Sequence, residues 1–142
     1  MDDYINELAV VSGWGRIGSG QHANAHLNEV TVKILGKTNC GDATPWVKED
    51  MVCAGVLEGG KGSCNGDSGG PLVVKNENDN NGAATLVGVV SFGLRVGCAF
   101  PKVPSVYSDV AYFVQNGWLT AALSDIRTCE APQSSDWSLG PI

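Results

Sequence analysis

Basic residues are scarce: Lys and Arg number 9 against 15 Asp and Glu, a formal net charge of −6. A nucleic-acid footprint needs clustered Lys and Arg, so no nucleic-acid partner is expected. Long apolar runs are missing too. The longest, Leu86–Ser91 with its flanks, is strand-sized, whereas a membrane helix requires roughly 18 residues, so no membrane partner is expected. The opening Met1-Asp2-Asp3-Tyr4-Ile5-Asn6-Glu7 has neither the basic stretch nor the apolar core of a secretory signal. No Cys-x-x-Cys pair occurs, and His22 and His26 lie far from every cysteine. A zinc site is therefore disfavoured, and neither metal nor cofactor is expected.

What is abundant is glycine, with 19 residues, beside 43% hydrophobic and 17% charged residues. That balance builds a packed core, and glycine with short β-branched runs reads as an all-β domain of tight turns. The five cysteines, Cys40, Cys53, Cys64, Cys98 and Cys129, read as two disulfides plus one leftover thiol, which implies an oxidising compartment. The missing signal conflicts with that compartment. Either the cysteines are reduced inside a cell or an upstream portion belongs to the protein, and the motifs below favour the second.

Residues 1–8 are acidic and read as a connector. Strands are expected at Ala9–Ser12, Asn28–Leu35, Met51–Ala54, Pro71–Val74, Ala84–Ser91 and Ser105–Ser108. The second alternates, with Val30, Val32 and Ile34 on one face and Glu29, Thr31 and Lys33 on the other. Residues 16–26 read as an exposed loop, and Asn80-Asn81-Gly82 as a hairpin tip. From Val110 the spacing turns helical, with Val114, Trp118, Ala122, Leu119 and Leu123 on one face, Asp109 as cap, and Gly117 inside at a cost of about 1 kcal/mol. Residues 130–142 read as a loose tail.

Chemistry concentrates in Gly62-Ser63-Cys64-Asn65-Gly66-Asp67-Ser68-Gly69-Gly70-Pro71. Ser68 sits among glycines, so the backbone turns sharply and a substrate carbonyl approaches closely. The amides of Gly66 and Ser68 are spaced to point at one place, as an oxyanion hole requires. Gly, Asp and Ser also make ordinary turns. That accounts for Asp-Ser-Gly alone and not for the full Gly-Asp-Ser-Gly-Gly-Pro.

This segment resembles the nucleophile loop of chymotrypsin- and trypsin-like serine proteases. Further landmarks follow in family order. Val11-Ser12-Gly13-Trp14-Gly15 is similar to the strand opening the second barrel, and Asp50-Met51-Val52-Cys53-Ala54-Gly55 to the strand before the specificity loop. Ser91-Phe92-Gly93 resembles the strand along which substrate lies, and Val106-Tyr107 precedes the terminal helix. The resemblance, from about residue 9 to residue 123, implies a six-stranded antiparallel Greek-key barrel with a C-terminal α-helix, the second half of a double barrel. On that basis residues 1–8 are an interdomain connector, 9–129 the C-terminal barrel with its helix, and 130–142 the tail.

The resemblance further implies disulfides Cys40–Cys53 and Cys64–Cys98, each contributing roughly 3–4 kcal/mol, with Cys129 unbonded within the chain. A third family bridge would join the positions of Ala9 and Val74, where apolar packing stands in. Ser68 is the implied nucleophile, Gly66 and Ser68 supply the oxyanion-hole amides, and Asp67 is the carboxylate that pairs with a new N-terminal ammonium after zymogen cleavage. The general-base histidine and its orienting aspartate belong to the upstream barrel, and His22 and His26 fall in an exposed loop. The implied specificity pocket uses Gly62, Ser63, Ser91, Phe92, Gly93 and Ser105. Gly62 stands where trypsin-like enzymes place an aspartate, so a large apolar side chain is favoured over Arg or Lys. Ser105 makes the pocket shallower and Phe92 keeps an aromatic wall.

The expected function is serine-type endopeptidase activity by an acyl-enzyme route, carried by a secreted, extracellular protein, with this chain alone a fragment inactive for want of the triad His and Asp. Expected partners are a peptide or protein substrate, the missing N-terminal barrel and protein inhibitors. A non-catalytic protease homologue acting in binding or regulation is the competing reading, and the intact Ser68 argues against it. A small non-enzymatic β-domain leaves the ordered landmarks unexplained.

Overall fold

The computed structural model describes residues 4–18, 20, 22–75, 83–94 and 97–124. Six strands form in it: β1 (Leu8–Gly13), β2 (Asn28–Gly36), β3 (Met51–Gly55), β4 (Pro71–Lys75), β5 (Ala84–Phe92) and β6 (Ser105–Asp109). Each extends its expected span by a residue or two. They close into an antiparallel barrel in the order β1-β2-β3-β6-β5-β4. Consecutive strands pair as far as β3. The polypeptide then crosses to β4, which pairs with β1. That crossing takes the segment from Val56 to Gly70 over one end of the barrel, and it is the chemically informative segment.

Alternation explains the barrel. In β2, Val32 and Ile34 are buried while Glu29, Thr31 and Lys33 are exposed. Ile34, Leu72 and Val52 meet in the interior with no exposure, each contributing on the order of 1.5–3 kcal/mol. Ala9 and Val74 belong to the same interior cluster, so apolar packing occupies the place of the third family bridge. Gly88 is buried between Leu72 and Tyr107, where an added Cβ would stand 3.1 Å from an atom of each. Outside the barrel, the Cys40–Cys53 disulfide joins a smaller cluster with Leu35, Ala43 and Val106, above a short 3-10 helix at Gly41–Trp46.

Two details differ from the sequence reading. Part of the 1–8 connector extends the sheet: Asn6 N donates to Ile34 O at 2.8 Å, Ile34 N donates to Glu7 O at 3.0 Å, and Tyr4 packs on the core. The single C-terminal helix is two, α1 (Val110–Gln115) and α2 (Trp118–Ser124). Gly117 adopts φ +79 and its N–H bonds Val114 O. That left-handed residue ends a helix in the way glycine characteristically does, and Asn116 Oδ1 restarts the next by accepting from Trp118 N. Val114, Trp118 and Leu123 remain exposed. Asp109 is the cap, accepting from Tyr112 N at 3.2 Å, and it also pairs with Lys37 at 3.5 Å. The hairpin tip at Asn80-Asn81-Gly82, Cys129 and the 130–142 tail lie outside the described residues.

Candidate active site

The loop from Cys64 to Gly70 is fixed at both ends. Cys64 is bonded to Cys98. At the other end, Gly69 N donates to Val90 O and Val90 N donates to Gly70 O, both at 2.9 Å, lacing the loop to β5. Between these anchors two turns form: Asp67 N donates to Cys64 O at 3.0 Å, and Gly70 N donates to Asp67 O at 2.8 Å. Gly66 and Gly69 take φ +99 and +81, values that favour glycine.

Asp67 points inward and organises the loop from beneath. Its Oδ1 accepts from Gly15 N at 2.8 Å and its Oδ2 from Cys64 N at 2.9 Å. Gly13 and Gly15 are required by this carboxylate, since a Cβ at either would overlap it. The two glycines of Gly-Trp-Gly are thus explained by an acid about 50 residues away in the sequence. Two backbone amides thus satisfy the carboxylate, and every buried polar side-chain atom has a partner among the described residues.

With Asp67 turned inward, Ser68 is exposed. Neither Gly66 N nor Ser68 N donates a hydrogen bond among the described residues. Two backbone donors flanking an exposed hydroxyl can hold an oxyanion that forms there. The amides of Cys64, Asp67, Gly69 and Gly70 are engaged, and that of Asn65 donates no hydrogen bond among the described residues.

Beside Ser68 opens a cleft of about 300 Å³. Ser63, Ser91, Phe92, Gly93 and Ser105 are among the residues that line it. Gly62 lies one layer below: a Cβ there would meet Ser105 Oγ at 3.6 Å and Ala99 Cα at 3.9 Å. Its missing side chain keeps open the space between two walls. No charged residue lines the cleft among the described residues. A register shift between Val90 and Phe92 breaks the alternation of β5, the usual effect of a bulge on side-chain direction, and leaves Ser91 exposed.

The floor is a cluster of hydroxyl groups. Tyr107 OH donates to Ser63 Oγ at 3.4 Å, and Ser105 Oγ donates to Ser63 O at 3.5 Å. Burial pushes the Tyr107 phenol up, the neighbouring Ser63 and Ser105 pull it down, and the Asp67 carboxylate adds to the rise.

A model of the family described as Trypsin matches residues 3–116. The chain belongs to the trypsin family. Among curated relatives, Trypsin eta of Drosophila erecta is 44% identical over 111 residues, covering 77% of this chain and 39% of that protein. Trypsin-1 of Astacus astacus is 41% identical over 114 residues, covering 79% and 45%. The Clotting factor G beta subunit of Tachypleus tridentatus is 37% identical over 123 residues, covering 80% and 38%. The chain thus spans about two fifths of the length of these relatives.

Of the six residues expected in the pocket, Gly62 is not among those lining the cleft beside Ser68 and lines the adjoining cavity with Asp67 instead. His22 and His26 are exposed, and neither bonds to Ser68 among the described residues. Sequence reasoning missed Ala99, Val103 and Pro104, which complete the cleft. The implied Cys64–Cys98 disulfide was the signal that could have found them. It draws residues 98–102 alongside 57–63, where Gly60 N donates to Ala99 O at 2.7 Å and Lys102 N donates to Leu57 O at 2.8 Å.

Proposed function

We propose that this chain is the nucleophile-bearing half of a serine-type endopeptidase that cleaves peptide bonds through an acyl-enzyme. One observation carries the reading: on the loop held by Asp67, Gly66 N and Ser68 N both lack an acceptor among the described residues, and they flank an exposed serine hydroxyl. In this reading Ser68 Oγ attacks the scissile carbonyl carbon. The two amides take up the negative charge that develops on its oxygen, which costs no reorganisation because both already await a partner.

A serine hydroxyl is a weak nucleophile until a base accepts its proton. We assign the base and its orienting carboxylate to a further barrel upstream in the longer protein, so this chain alone is inactive. A free N-terminal ammonium produced by zymogen cleavage would join Asp67 in the adjoining cavity of about 370 Å³, which reaches from Asn28 to Asp67. The substrate is a peptide or protein whose large apolar side chain enters the cleft, because an unpaired cation is costly and no countercharge lines the cleft among the described residues. Protein inhibitors would compete at the same cleft. Two disulfides fit a secreted, extracellular protein.

The test is steady-state kinetics on matched peptides with the longer protein, using Ser68→Ala as control. Cleavage after Phe or Leu, abolished in the control, is expected. Higher kcat/KM for Arg than for Phe or Leu would overturn the pocket assignment. Absence of any Ser68-dependent turnover would favour the non-catalytic homologue.

A further inference from the structure

Two Asn-Gly steps lie among the described residues, Asn65–Gly66 in the nucleophile loop and Asn116–Gly117 between the helices; Asn81–Gly82 lies outside them. In such a step the glycine nitrogen has no neighbouring Cβ to shield it and a backbone free to rotate. It can therefore attack the asparagine side-chain amide. The structure treats the two steps differently. At the helix break, Gly117 N donates to Val114 O at 3.1 Å and Asn116 Oδ1 accepts from Trp118 N at 2.9 Å. The attacking nitrogen and the group under attack are both engaged.

In the nucleophile loop neither is. Asn65 and Gly66 are exposed, and Gly66 N donates no hydrogen bond among the described residues. Asn65 Oδ1 has the Cys64 and Cys98 sulfurs at 4.0 and 3.9 Å, but these are joined in a disulfide and have no proton to give. Two backbone bonds flank the step, Arg16 N to Asn65 O at 2.9 Å and Asp67 N to Cys64 O at 3.0 Å. Both sit at the surface turn, and opening them frees the ring closure.

We propose that Asn65 is a self-modification site whose conversion disables the oxyanion hole. Gly66 N bonds to Asn65 Cγ, and the bond from Cγ to the amide nitrogen Nδ2 breaks. The Gly66 amide proton leaves with Nδ2 as ammonia, giving a cyclic imide. Water then opens the imide. Cleavage of the new Cγ–N bond gives aspartate, and cleavage of the original peptide bond between Asn65 and Gly66 gives isoaspartate. Water is the only co-reactant. The aspartate adds a carboxylate at the cleft rim. The isoaspartate inserts a methylene into the backbone beside Gly66 and displaces its N–H. A misplacement of about 1 Å can cost on the order of 10²-fold in rate. The consequence for activity rests on the endopeptidase reading, whereas the modification itself does not.

The folded protein is incubated at mildly alkaline pH and its peptides are mapped for aspartate and isoaspartate, with a denatured sample alongside. Asn65 is expected to convert several-fold faster than Asn116 in the folded protein, and the two rates to converge in denaturant. Conversion of Asn116 at an equal or higher rate in the folded protein would overturn the proposal. So would an unchanged Asn65 under conditions where the denatured sample converts. In the longer protein, kcat/KM should fall in step with Asn65 conversion, while Asn65→Gln should hold its own starting rate through the same incubation. Equal decay in both would overturn the link to the oxyanion hole and leave the peptide map to judge the modification.

Discussion

The barrel and the loop cluster at its end are stabilised in different ways. In the barrel, apolar side chains from all six strands fill one interior, and Ile34, Leu72 and Val52 have no exposure. In the loops, single polar groups set the geometry: one carboxylate, Asp67, takes two backbone amides, and one disulfide ties the nucleophile loop to the cleft wall. Damage to the barrel should therefore appear as lost stability with chemistry intact. Damage to the loops should appear as lost chemistry with most of the fold intact.

The largest effect on chemistry is expected from Gly15→Ala in the longer protein. The new Cβ overlaps the Asp67 carboxylate, so the carboxylate must move and the Gly66 amide with it. A fall in kcat/KM of about 10²-fold or more is expected, with a core-like thermal transition retained. Ile34→Ala is the opposite case. It should cost about 2–5 kcal/mol by cavity formation, measured by denaturant unfolding, and leave kcat/KM of the folded fraction unchanged. If both variants lose activity and stability in the same proportion, the division between barrel and loops is wrong.

That division also governs what the sequence disclosed. Val30, Val32 and Ile34 alternate with charged and polar neighbours, and one buried face is the only consistent outcome, so β2 could be read directly. The pairing of Asp67 with Gly15 N could not, because a backbone amide has no residue code and the partners lie 52 positions apart. Ala99 was hidden for a related reason: the zippering of residues 57–63 onto 98–102 is made by backbone groups. At the C-terminus the apolar spacing continued through Gly117, while the backbone did not. A left-handed glycine outweighed the periodicity.

The two disulfides sharpen the comparison. By the entropy of loop closure, loss of Cys64–Cys98 should cost about 4 kcal/mol and loss of Cys40–Cys53 about 3 kcal/mol. Paired Cys→Ala variants measure both. Activity of the folded fraction should fall further in the Cys64–Cys98 variant, since Cys64 and Cys98 line the cleft themselves whereas Cys40–Cys53 reaches it only through the cluster that packs on Phe92 and Leu94. Equal activity loss in both would contradict the account.

The smallest effect is expected at alkaline pH. Tyr107 is held protonated above its ordinary range by burial. The folded state therefore binds this proton more tightly than the unfolded state does. Its stabilising contribution is full below about pH 10, the ordinary phenol value, and is lost as pH rises above it. Tyr107→Phe should flatten that part of the stability–pH curve, and an unchanged alkaline slope would remove Tyr107 as its source.

The central claim is that these residues supply a prepared nucleophile loop but no base. It is tested most directly by a fluorophosphonate probe and peptide hydrolysis on the purified, refolded chain, beside the longer protein. Where a member of the triad is missing in related serine proteases, residual catalysis is roughly 10³–10⁴-fold over water, far below a working enzyme. The account therefore expects the longer protein to label stoichiometrically at Ser68 and turn over, and the chain alone to do neither at a comparable rate. Stoichiometric labelling with near-full turnover by the chain alone, lost on mutation of His22 or His26, would contradict it.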